Sequence, residues 1–178
     1  MPLHRRFAAV LFAVVAAAAA ACSPVLDWRE VRPEGADLVL LMPCRPSRQA
    51  RSVTLAGRPV ALALVACSAG GQTWGLAAGD MGDPALVGPA LGELRRAAAA
   101  NLGAPASAEP EAFAPRGATP NPASGRLRLA GRLPDGTEVA EQAAFFARGT
   151  WVYQATVVGA TLPADAAATF FDSLRLGS

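Results

Sequence analysis

Two pairs of residues have the types and spacing to do chemistry. Cys44 and Cys67 are thiols a little over 20 residues apart, able to close a bridge, cycle electrons or share a soft metal. Asp80 and Asp83, set among Gly79 and Gly82, could act as an acid/base pair or offer oxygens to calcium. Each pair has a plainer use. Redox cysteines usually stand as CxxC at a helix start, and two thiols without imidazole ligate metal poorly, so a structural disulfide is the favoured reading. Such a loop contributes about 3 kcal/mol on the chain-entropy model. Asp83 precedes Pro84 and suits a helix cap, and the ligand-rich loop with a terminal Glu that calcium requires does not follow. A carboxylate-dependent hydrolase using Asp80 and Asp83, or a thiol-redox accessory using Cys44 and Cys67, are the alternatives to a non-enzymatic reading.

Absent residue types narrow the chemistry further. The chain has no lysine, and its single histidine is His4. With His4 in a removable leader, the mature chain lacks Ser-His-Asp and Cys-His catalysis, imidazole-dependent zinc sites, Schiff-base chemistry and a Walker lysine. No cofactor or metal is expected.

The leader is read from the first residues. His4, Arg5 and Arg6 precede an apolar run from Phe7 to Ala21, and Cys22 follows Ala19, Ala20 and Ala21. A run of about 15 residues is short for a membrane span, which needs about 20. It suits a signal peptide, residues 1–21, cut ahead of a lipidated Cys22. The Ala-rich stretch also suits an ordinary secretory peptidase, which would release a soluble periplasmic or secreted protein. Ser23 after the cysteine, where Asp would suggest inner-membrane retention, favours the periplasmic side of the outer membrane. Acyl chains on Cys22, worth about 0.8 kcal/mol per buried CH₂, would anchor the domain.

Loss of the leader removes Arg5 and Arg6 and leaves fourteen arginines against fourteen acidic residues. A neutral mature chain gives no support for nucleic-acid binding. The absence of Lys and Ile, with abundant Ala, Arg, Gly and Pro, reflects GC-rich codons.

The elements that must position these residues follow from periodicity. Residues 22–37 read as a tether and 38–178 as one domain. Strands are expected at Leu38 to Met42, Arg51 to Ala56, Val60 to Cys67 and Gln72 to Ala78, with turns at Gly57 to Pro59 and at Gly70-Gly71. Val87, Leu91, Leu94, Ala98 and Leu102 have helical spacing, with Gly88-Pro89 expected to interrupt the first turn. Residues 103–124, rich in Pro, read as a long mobile loop. Arg126, Arg128 and Arg132 alternate with Leu127, Leu129 and Leu133 as a half-buried strand. That basic row is a candidate face for an anionic envelope component, or else a solvated face paired with Glu138 and Glu141. Val139 to Ala147 and Trp151 to Val158 complete a meander, and Pro163 opens a helix with Ala167, Phe170, Phe171 and Leu174 on one stripe. The fold class is α+β, an antiparallel β-sheet flanked by helices.

The run Arg148 to Gly159, followed by Thr169 to Leu176, resembles the C-terminal end of PsbP-like domains, and Met42 to Cys44 is similar to their early strand end. Leu26 to Glu30 after Cys22 resembles uncharacterised proteobacterial envelope lipoproteins. The resemblance implies an α/β/α sandwich, carries no catalytic residues, and points to a binding or assembly role with an envelope protein or anionic envelope component as partner. The cysteine pair and the Pro-rich segment depart from the PsbP-like pattern.

Overall fold

Strand alternation and hairpin-length connections build two meanders, and a helix crosses between them. The computed structural model describes residues 25–105 and 109–177. The first meander is β3 (Ser47–Leu55), β4 (Arg58–Ala69) and β5 (Gln72–Asp80), reached through short strands β1 (Arg29–Val31) and β2 (Leu38–Met42). Helix α1 (Pro84–Asn101) leads to the second, β6 (Gly125–Arg132), β7 (Glu138–Arg148) and β8 (Trp151–Gly159). Helix α2 (Ala164–Asp172) and strand β9 (Arg175–Leu176) close the described chain. The two meanders join where β5 pairs with β8, giving a six-stranded antiparallel sheet in the order β3-β4-β5-β8-β7-β6. A second sheet has the order β1-β2-β9. The architecture is α+β with antiparallel sheets.

The turns have local causes. Ala56 and Gly57, at φ 48° and 75°, form a two-residue hairpin loop of the type whose twist matches the strands. A left-handed alanine is strained, and here the Glu93 carboxylate of α1 accepts a hydrogen bond from the Ala56 N–H at 2.7 Å. Pro59 therefore belongs to β4, beyond the reach of β5, whose pairing begins at Leu62. There a missing N–H breaks no second ladder. Gly70 and Gly71, at φ 65° and 81°, make the second tight turn as expected.

Period-two alternation buries both faces of the sheet. On one face Leu62, Leu129, Phe145 and Val152 pack with Val87, Ala90 and Leu91 of α1. On the other, Trp74, Leu76, Phe146 and Tyr153 pack with Phe170 and Phe171 of α2 and with Leu38, Leu40 and Met42 of the small sheet. Trp74 is fully buried and meets Trp28 and Phe170 edge-on at 5.8 and 5.4 Å.

Strands β3 and β4 begin at Ser47 and Arg58, ahead of the expected Arg51 and Val60, and three further boundaries differ from the sequence expectation. The tether expected over 22–37 includes β1, in which Arg29 pairs with Met42 and Val31 with Leu40, and Val31 is buried. Three residues, two of them charged, carry too little alternation to be seen as a strand. Helix α1 continues through Gly88 and Pro89. Proline sits close enough to the N-terminus to forfeit only an early bond. The described parts of 103–124 are pinned: Glu111 exchanges two 2.8 Å backbone hydrogen bonds with Arg126, the Thr119 N–H donates to the Ala147 carbonyl at 2.7 Å, and Phe113 lies against Phe146 and Phe171. These attachments are nonlocal, so proline content could not reveal them.

Trp74→Ala should destabilise the domain by about 3–5 kcal/mol, through lost burial and the cavity left behind. Urea denaturation measures this, and a cost below about 1 kcal/mol would contradict the packing of that face.

Candidate functional site

The sequence-derived candidates lie in four places. Cys22 lies outside the described residues. Cys44, just after β2, and Cys67, within β4, form a disulfide with Cα atoms 6.0 Å apart, inside the usual range. The bond ties the small sheet to the large one, and neither cysteine belongs to a helix.

Asp80 and Asp83 are neighbours in sequence with separate tasks. Asp80 accepts from the Thr150 hydroxyl at 2.6 Å and from the Gly82 N–H at 2.9 Å, fastening the end of β5 to the β7–β8 turn. The Thr150 bond first, then the Gly82 bond, holds its carboxyl below the usual carboxylate range. A general acid near neutral pH needs the opposite shift. Asp83 caps α1, accepting from the Ala85 N–H at 2.9 Å. Among the described residues no three His, Cys, Asp or Glu side chains gather as a metal site.

The arginine row is matched by carboxylates. Arg126 is 3.1 Å from Glu111, and its guanidinium lies over Phe113 and Phe171 at 5.4 and 6.0 Å from the ring centres. Arg128 is 3.9 Å from the same Glu111, and Arg132 pairs with Glu138 across the strands. Exposed pairs of this kind contribute little energy, yet they lower the field an anionic partner would meet.

Glu141 does not join that row. It lies opposite Leu129 and Val158, on the face covered by α1, and is 6% exposed. Burial pushes its carboxyl up to about 7. Its place was readable: Val139, Glu141, Ala143 and Phe145 share one parity, so a buried Phe145 implies an inward Glu141.

Sequence reasoning names no site at the β7–β8 turn, where the structure forms a cleft. Asp37, Gly117, Thr119, Arg148, Trp151 and Tyr153 line about 460 Å³ of space. Arg148 is 3.2 Å from Asp37 and donates to the Gly117 carbonyl at 3.1 Å. Thr119 accepts from the Gly149 N–H at 3.0 Å. Tyr153 is 1% exposed, stacked on Phe146 with ring centres 5.1 Å apart, and its buried hydroxyl has no hydrogen-bond partner among the described residues. Burial first, then the Asp37 carboxylate, pushes this phenol up to about 12. It stays protonated as a donor. Arg148 and Thr119 hold loops of the cleft together.

Glu141 makes stability depend on pH. Its folded-state pKa is above the unfolded value of about 4.3, so between there and about 7 the native state holds the proton more tightly, and stability falls as pH rises. Wild type should lose up to about 3 kcal/mol across that window. Glu141→Gln should flatten this slope and be the more stable protein at pH 8, as read by denaturant midpoints at several pH values. An unchanged slope in the variant would refute the assignment.

Against known proteins, no family model, no curated protein and no solved structure matches this chain.

Proposed function

We propose that the chain is a lipid-anchored envelope protein: a non-enzymatic binding or assembly-accessory domain held on the periplasmic side of the outer membrane by acyl chains on Cys22. The observation that carries this reading is the order of the N-terminus, basic residues, a short apolar run, then small residues ending at a cysteine. The Cys44–Cys67 disulfide supports it, because such bonds persist in oxidising compartments. Among the described residues no helix is long and apolar enough to cross a membrane, so any attachment by a helix would have to come from elsewhere in the chain.

The layering, α1 on one face of the sheet and α2 with the small sheet on the other, supports an α/β/α sandwich of the PsbP-like kind. The candidate chemistry supports a non-catalytic role. Asp80 and Asp83 are engaged in a strand-end fastening and a helix cap, and the cysteines join two sheets. A partner would be an envelope protein or an anionic envelope component.

Intact mass of protein extracted from the membranes of its native host, with and without reduction and thiol alkylation, tests the reading. The expected species begins at an acylated Cys22, and its other two cysteines resist alkylation until reduced. An unacylated chain cut at an alanine, or thiols at 44 and 67 that alkylate without reduction, would contradict it.

A further inference from the structure

The two outer edges of the six-stranded sheet are treated differently. At β6, Glu111 covers part of the edge through its two backbone bonds to Arg126. At the other end β3 pairs with β4 alone, and among the described residues nothing bridges its outer side. Alternate residues of such an edge turn an unpaired N–H and C=O outward, a template for another strand. From Ser47 to Ser52 every residue of β3 is exposed.

Charge on this edge is one-sided. Residues 38–79 hold four arginines and no carboxylate, although the chain beyond the leader is balanced overall. Arg45, Arg48, Arg51 and Arg58 are all exposed and, among the described residues, none has an ion-pair partner. A single charge is enough to discourage strand aggregation. Here there are four, two on the strand and one beyond each end, and the segment carries no carboxylate of its own.

We propose that β3 is a docking edge for an extended, acidic polypeptide segment, which pairs with it as a seventh strand. Arg48 stands opposite Val65 and Arg51 opposite Leu62, residues that belong to the cores on opposite faces of the sheet. The two guanidiniums therefore leave the sheet on opposite sides. An added strand, its own side chains alternating between faces, meets both, whereas a flat membrane surface meets one. Lipid insertion has no other support here: Val25 is the one exposed large apolar side chain among the described residues. A second copy of β3 would add another strand carrying arginines and no acid of its own to balance them. On the α2 side a shallow groove of about 390 Å³, lined by Arg48, Ala50, Ala63 and Val65, leaves room for partner side chains over two alanines. Glu34 is the one carboxylate lining that groove, so specificity for acidic segments rests on the edge arginines.

This inference rests on the domain being a binding module and is independent of the anchor, since an unlipidated chain would present the same edge. The probe is a short labelled peptide alternating glutamate with valine and threonine, titrated by fluorescence anisotropy into the full mature protein in detergent. It should bind, weaken about tenfold or more against the Arg48→Glu/Arg51→Glu variant, and weaken comparably when alternate peptide amides are N-methylated. A lysine version of the peptide should not bind. Absence of binding, equal binding to the variant, or equal binding of the N-methylated peptide would overturn the proposal, the last by reducing the contact to charge alone. A dimer that the variant abolishes would overturn it in favour of a second copy.

Discussion

The pairing of β5 with β8 is the constraint on which the rest of the structure depends. It joins two meanders that are each local in sequence, with Trp74 opposite Val157, Leu76 opposite Ala155 and Ala78 opposite Tyr153. Once those strands meet, both become central, and both faces of the sheet must be covered. Helix α1, which connects the meanders, covers one face. The other needs α2 and the β1-β2-β9 sheet, drawn from the two ends of the described chain. Burial of large side chains on both faces supplies the driving force, at about 25 cal/mol per Å² of apolar area. Ordering the long intervening segment opposes it.

Covering both faces decides where polar groups can sit. Glu141 is left under α1 and Tyr153 under the small sheet, each desolvated, while Asp80, Arg148 and Thr150 are used at the strand ends to fasten turns. Reactive-looking side chains are thus either neutralised by burial or occupied by hydrogen bonds. Exposed arginines without an ion-pair partner among the described residues include those at the sheet edge where burial ends, on β3 and its flanking residues.

Much of the sheet was legible because period-two alternation is strong from Val60 onward and the turns carry Gly or Pro-Asp-Gly. The final helix was legible from Ala167, Phe170, Phe171 and Leu174. What escaped depends on long-range contacts: β1 exists because β2 is beside it, and Phe113 and Thr119 are held by elements distant in sequence. Pro89 was overweighted as a breaker because its effect depends on its distance from the helix start. At the sites, the cysteine pairing was legible from the count of thiols beyond Cys22. The arginine row was seen, but not that Glu111, from the Pro-rich segment, comes across to meet it. The unpaired arginines of β3 drew no notice because lack of a partner is a property of the folded surface.

The sheet is joined through β5 and β8 and, among the described residues, unpaired on the outer side of β3. Residue-resolved amide hydrogen exchange on the mature protein tests this arrangement most directly. The account expects the slowest amides in β5, β8 and β7, near the global unfolding limit, and fast exchange at the outward-facing amides of β3. Outward β3 amides as protected as those of β5 would contradict it, because the edge would then already be covered.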